Sequence, residues 1–232
     1  MTEPLDIERR DSGAARIAAR TALIMLAFTL VFTALMAGTY KLTEPLVAAS
    51  AAAEKQRLIA EVLPPALHDN DLMKDAVTLA PQKALATDED TRAWRARKGG
   101  QPVAVVFEAA ARDGYSGRIS LILAVDADGR LLALRVTGHK ETPGLGDYVD
   151  PKKDRNKARP WITQFSALGF AEVPRDKWRV KKDCGRFDQV SGATISARAV
   201  TNASLRALDC ATLNQSRLFA LPADARFEET TP

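Results

Sequence analysis

Residues 102–112 read PVAVVFEAAAR, and residues 117–139 read GRISLILAVDADGRLLALRVTGH. Both are rich in Val, Ile and Leu, the residues that fit a pleated and half-buried surface, and both are predicted to be strands. Asp126-Ala127-Asp128-Gly129 is a turn signal inside the second stretch and makes a hairpin of it. Working outward, residues 139–150 form a loop, because Pro143, Gly144 and Gly146 break any regular element. Residues 161–170 are a short helix or an irregular packing segment, and Trp178-Arg179-Val180 is read as a strand. From Thr194 the pattern becomes helical, with Ile195, Ala199, Ala203 and Ala207 four apart on one apolar stripe. Upstream, residues 69–100 are polar and mixed in charge, a loosely structured lead-in. The fold class is α+β: a small antiparallel sheet with packed helices over residues 101–210, and a C-terminal tail over 211–232.

The N-terminal part reads differently. Thr21 to Tyr40 carry no charge over twenty residues, enough for a helix to cross the roughly 30 Å hydrocarbon core of a bilayer. A cleaved signal peptide has a shorter apolar region, of about 7–15 residues. The small residues Ala48 to Ala53 imitate a cleavage region but lie well past the span, so an uncleaved anchor is the favoured reading. Arg9, Arg10, Arg16 and Arg20 precede the span, whereas Lys41 stands alone after it until Lys55. The orientation bias follows Lys and Arg. It puts a tail of residues 1–20 in the cytoplasm, a single transmembrane helix at 21–40, and the rest outside. For a bacterial inner membrane that compartment is the periplasm. Residues 42–63 are Ala-rich with strong helix formers, so a helical stalk begins the 41–100 region until Pro64-Pro65 stops it.

A chain of 232 residues leaves roughly 190 outside the membrane, enough for a hydrophobic core without staples. A net charge of +4 is too mild for a nucleic-acid binder, and no such motif is present. Cys184 and Cys210 would share an oxidising compartment, where one disulfide and two unpaired thiols both remain open. With only two histidines, neither beside a cysteine, no metal set is expected.

The chemistry-bearing stretch is Asp188-Gln189-Val190-Ser191-Gly192-Ala193-Thr194, at the start of the predicted helix. The first N–H groups of a helix lack partners and attract anions. Gly192 lets the backbone turn tightly and Ala193 adds little bulk. Ser191 is a candidate N-cap or a donor to a phosphate oxygen. The same four small residues also make an ordinary helix cap. The stretch resembles the Asp-x-x-Ser/Thr-Gly-Ala-Thr signature of proteins that carry FMN on the final threonine.

A second segment, Gly138-His139-Lys140-Glu141-Thr142-Pro143-Gly144-Leu145-Gly146-Asp147, joins it. Together with Trp178-x-Val180-Lys181-Lys182-Asp183 and Phe187 to Ile195, the chain resembles the G subunit of the Rnf ion-translocating electron-transport complex. The resemblance covers residues 138–208 and the anchor. It implies an extracytoplasmic FMN-binding domain with FMN held by a phosphoester to Thr194, and cofactor contacts from Ser191, Gly192 and Ala193. It further implies that the Glu141–Gly146 loop lies against the flavin, with Leu145 on the ring and Glu141 and Thr142 bonded to the ring edge or ribityl chain. Other membrane subunits of an Rnf-type complex would be its partners, a flavin transferase would mature it, and ferredoxin and NAD would stand at the ends of the electron path. Cys184 departs from the small residue expected there.

Other signals are weaker. His139 reads as a satisfied loop histidine, and Trp161 and Trp178 as core. The run Lys152, Lys153, Arg155, Lys157, Arg159 is interrupted by Asp150 and Asp154 and reads as a solvated face. Gly144-x-Gly146 is too short for a dinucleotide loop. A flavin-binding sensor and a non-redox structural anchor are the competing readings; the anchor predicts a colourless protein.

Overall fold

The computed structural model describes residues 7–228. The expected tails therefore lie partly outside the described residues, at 1–6 and 229–232. Helix α1 runs over Ile7–Val62, with Pro45 inside it. The described residues hold one helix long and apolar enough to cross a membrane, with none of its apolar window buried. The chain divides into two compact units, Met1–Glu54 and Lys55–Pro232.

In the second unit six strands form one sheet. They are β1 (Ala76–Leu79), β2 (Thr91–Lys98), β3 (Gln101–Gly114), β4 (Gly117–Asp126), β5 (Leu131–Gly138) and β6 (Arg226–Phe227), in the order β5-β4-β3-β2-β1-β6. Neighbours are antiparallel except β1 and β6, which pair in parallel and make the sheet mixed. Asp126 shapes the β4–β5 turn: its carboxylate accepts the N–H groups of Asp128 and Arg130, and Gly129 takes φ +77°.

Both faces of the sheet are covered. Val105, Phe107, Ala109, Leu121 and Leu123 point toward helix α2 (Thr194–Ala220). Val106, Ala124 and Ile122 point the other way, onto Leu58, Ile59 and Val62 at the end of α1. Burial on both sides explains why these strands read as continuous apolar runs rather than alternating ones. The α+β class therefore holds, with three departures, the first being that residues 211–232 are not a tail: α2 continues to Ala220, and Arg226–Phe227 add β6 beside β1. Residues 69–100, expected to be a loose lead-in, supply β1 and β2. Trp178-Arg179-Val180 is not a strand; only an isolated bridge joins Val180 to Phe187. Trp178 is fully buried instead, its indole N–H donating to the Ser204 hydroxyl at 3.0 Å. The short helix expected within residues 161–170 is present, as the 3-10 helix Trp161–Phe165. No disulfide joins the cysteines: Cys184 is exposed, while buried Cys210 donates its thiol to the Gln82 side-chain oxygen at 3.2 Å.

Candidate cofactor site at the start of helix α2

Helix α2 begins at Thr194, and what precedes it is a tight turn. The Ala193 N–H donates to the Val190 carbonyl at 3.1 Å, with Gly192 at φ +84° in the third position. This is the conformation of a type II turn, which calls for glycine at that place. The N-cap residue is Ala193, with no capping side chain. Ser191 is therefore not the N-cap that its sequence position suggests; it sits exposed in the turn, two residues too early. The first-turn N–H groups of α2 thus have no side-chain cap, and Gly192 opens onto space, since a Cβ there would meet nothing within 4 Å. Thr194 is half-buried at this open end.

Tyr148 holds the turn from beneath. Its hydroxyl donates to the Ala193 carbonyl at 3.2 Å and accepts the Val190 N–H at 3.4 Å. Its ring meets Trp161 edge-on at 5.3 Å. Burial, then the nearby Asp154 and Glu141 carboxylates, push the Tyr148 phenol up to about 12, so it stays protonated and remains a donor. The strap leading into the turn is fixed as well. Asp188 accepts the Trp161 indole N–H on its carbonyl at 2.6 Å, and its carboxylate pairs with Lys181 at 2.5 Å. Arg198 on α2 grips Asp183 with two bonds of 2.6 and 2.8 Å, which holds the Asp183 carboxyl below its usual range.

The loop after β5 packs onto the same helix end. Glu141 is 4% exposed, and its carboxylate accepts the Ser116 N–H at 3.0 Å and the Ser196 hydroxyl. It therefore braces the β3–β4 hairpin, the loop and the first turn of α2 against one another. Gly146 is required by this packing: a Cβ there would stand 2.5 Å from the Ser196 hydroxyl and 2.6 Å from a Glu141 oxygen. His139 is a loop histidine, accepting the Glu141 N–H at 3.2 Å.

Between loop and helix lies a cleft of about 230 Å³, lined by Tyr115, Glu141, Thr142, Leu145, Gly146, Gly192, Ala193, Ile195 and Ser196. Outside α1, the exposed large hydrophobic side chains among the described residues are Met73, Tyr115, Leu145, Val190, Ile195 and Leu213. Three of the six, Tyr115, Leu145 and Ile195, converge on this one cleft, and Val190 belongs to the turn beside it. Exposed apolar groups gathered beside convergent polar ones mark a binding groove. Ile195 is accordingly not part of the buried stripe of α2, which runs instead through Ala199, Ala203 and Ala207.

Similarity to known proteins follows the same two parts. Residues 114–209 match the FMN-binding domain family, and residues 12–62 match the RnfG N-terminal region family. A Pseudomonas aeruginosa protein, named as the G subunit of the ion-translocating oxidoreductase complex, is 39% identical over 219 residues, covering 94% of this chain and all of that protein. Proteins of the same name from Cronobacter sakazakii and Shewanella amazonensis are 41% and 36% identical, over 84% and 88% of this chain and 91% and 92% of theirs. The chain belongs to the family of G subunits of ion-translocating oxidoreductase complexes.

Its FMN-binding domain has the donors that FMN needs. Uncapped N–H groups and a positive helix end suit a phosphate. The apolar side chains of the cleft suit a flat ring. At about 230 Å³ the cleft is smaller than the roughly 300–1,000 Å³ typical of enclosing ligand pockets. It would leave much of such a ring uncovered.

Of the residues singled out from sequence, Glu141, Thr142, Leu145, Gly192 and Ala193 line the cleft, with Thr194 beside them on the helix and Ser191 in the turn. Glu141 also has a role within the fold, since each of its carboxylate oxygens accepts a bond from it. Tyr115, Tyr148 and Ser196 are additions that the motifs do not announce. Ser196 lies two residues beyond the motif at Thr194, and Tyr148 two beyond the glycine of the loop. Only the fold brings them to the turn.

Proposed function

We propose that this chain is the membrane-anchored electron-transfer subunit of a multisubunit ion-translocating oxidoreductase complex, with FMN joined through its phosphate to the Thr194 hydroxyl. Family membership and the FMN-binding domain support the first part. The observation that carries the second is the uncapped first turn of α2, where Thr194 stands between Ala193 and Ile195 of a cleft lined by exposed apolar side chains.

Bound FMN supplies one- and two-electron redox chemistry. The chain's own residues do the holding. The first-turn N–H groups of α2 receive the remaining charge of the phosphodiester. Leu145, Ile195 and Tyr115 give the ring an apolar bed, and Thr142 and Ser191 offer hydroxyls to its polar atoms. Glu141 fixes the distance between loop and helix. Tyr148 fixes the turn that presents the Thr194 hydroxyl. Among the described residues no base is hydrogen-bonded to that hydroxyl, and we assign formation of the bond to a separate flavin transferase. The arginines before the span orient the N-terminus toward the cytoplasm and the FMN-binding domain toward the periplasm. The other membrane subunits of the complex are its electron partners.

The test is in-gel ultraviolet fluorescence of the denatured protein, wild type against Thr194→Ala, each expressed with a flavin transferase and exported. A fluorescent wild-type band that vanishes in the variant supports attachment at Thr194. A dark wild-type band, with export and transferase activity demonstrated, overturns the carrier reading and favours the structural anchor.

A further inference from the structure

Beside the cleft lies a charge pattern that the order of residues conceals. Lys152, Lys153, Arg155, Lys157 and Arg159 are all exposed, while the two acids interspersed with them turn inward. Asp154 is 7% exposed, and its carboxylate accepts the N–H groups of Asn156 at 2.9 Å and Trp161 at 2.5 Å. The half-buried Asp150 accepts the Lys152 N–H at 2.9 Å and faces His139. The Lys157 ammonium folds back onto the Pro151 and Lys152 carbonyls at 3.3 and 2.7 Å, so the segment is curled on itself. The interrupted run that reads in sequence as a balanced, solvated face is therefore cationic outward.

Its position gives that charge a use. Arg155 lies beside Gly144 of the cleft loop, 3.9 Å from where a Cβ would stand. Asn156, Arg159 and Trp161 line a second groove of about 330 Å³, whose far wall is Asp188 and Val190 of the turn before Thr194. The acids along this border are engaged already: Asp188 pairs with Lys181, and Asp147 accepts the Gly144 N–H at 2.9 Å. The cationic segment thus runs from the cleft loop to the Thr194 turn.

We propose that this segment and its groove are a docking surface for the acidic face of the redox protein that exchanges electrons with the cleft. The inference rests on the electron-carrier reading above. A ring left largely uncovered by a small cleft needs a partner brought close in one orientation. Complementary charge does this by steering encounter and fixing register rather than by adding contact area. Trp and Arg side chains beside side-chain amides are the groups on which protein interfaces concentrate their affinity, which favours a protein over a lipid surface.

The test uses the complete complex carrying Lys153→Glu, Arg155→Glu and Arg159→Glu together, leaving Lys157 because its ammonium holds the loop. Fluorescence of the denatured subunit is read first, then the rate of flavin reduction within the complex across a salt series, in detergent and in nanodiscs of neutral and of anionic lipid. The expected result is an unchanged fluorescent band with a rate about tenfold lower at low salt and a flattened salt dependence, alike in all three surroundings. A fluorescent band with unaltered rate and salt dependence overturns the docking surface alone. A defect confined to anionic nanodiscs overturns it in favour of a lipid contact. A band dark in wild type overturns the carrier reading, and the docking surface with it.

Discussion

The two ends of helix α2 are finished in opposite ways. At the C-terminal end, Arg95 of β2, only 2% exposed, donates to the carbonyls of Leu218 at 2.8 Å and Leu221 at 2.5 Å. Arg97 adds the Phe219 carbonyl at 3.2 Å and lies over the Phe219 ring. Asp75 holds both guanidinium groups in place. Cations at the negative end of the helix dipole and filled carbonyls make a closed terminus. At the N-terminal end there is no capping side chain, the residue before the helix is alanine, and glycine leaves the approach open. A helix needs both termini satisfied. One end is completed by the fold, and the other is left for something the chain does not itself contain.

That contrast is broken most severely at Arg95. Arg95→Ala strips two carbonyls of their donor and removes one of the two guanidinium partners of Asp75. It is expected to lower unfolding free energy by about 3–5 kcal/mol, measured by urea titration, while the protein that stays folded still takes up covalent flavin. Glu141→Gln should cost about 1.5–3 kcal/mol, because it removes the charge that strengthens both bonds and leaves one acceptor oxygen where the carboxylate has two. It should also loosen the first turn of α2, seen as faster amide hydrogen exchange there and not at Leu218.

Tyr148→Phe removes both bonds to the turn and should cost about 1 kcal/mol. Its pH signature is specific. The folded phenol ionises at about 12 against an ordinary 10.0, so its contribution is complete below pH 10 and is lost as pH rises toward 12. A melting-temperature series from pH 9 to about 12 should show this alkaline decline, and the phenylalanine variant should lack that component. The smallest effect sharpens the contrast. Ala193→Ser supplies the missing cap and should raise stability by about 0.5–1 kcal/mol. It also occupies an N–H group meant for phosphate, so the fluorescent fraction should fall. A fluorescent fraction equal to wild type would mean that the open terminus is not used by the cofactor.

Much of this is readable from the residues, and what escapes does so for physical reasons. The β3–β5 region is legible because strands covered on both faces are apolar throughout, and the Asp126–Gly129 turn carries its own side-chain bonds. Strand β2, TRAWRARK, is hidden because two of its arginines are turned to the carbonyls of a helix more than 120 residues later. A buried charge with a distant partner looks, in sequence, like solvated polarity. The motif around Thr194 and the loop of Glu141 can be found because they are contiguous. The Tyr148 brace cannot, because its hydroxyl acts on backbone atoms 42 and 45 residues away. The inward turn of Asp150 and Asp154 is equally invisible, since alternation of charge along a chain says nothing of which charges face out.

Helix α2 is 27 residues long, about 40 Å, and one face of it is embedded against the sheet for most of that length. Thr194 is its first residue, so a group attached there inherits the position of the whole sheet. Lipoyl and biotinyl carriers work as swinging arms, reaching from one station to the next on a flexible stem. A cofactor fastened at this point would instead be a fixed post on a rigid beam, and traffic would have to come to it.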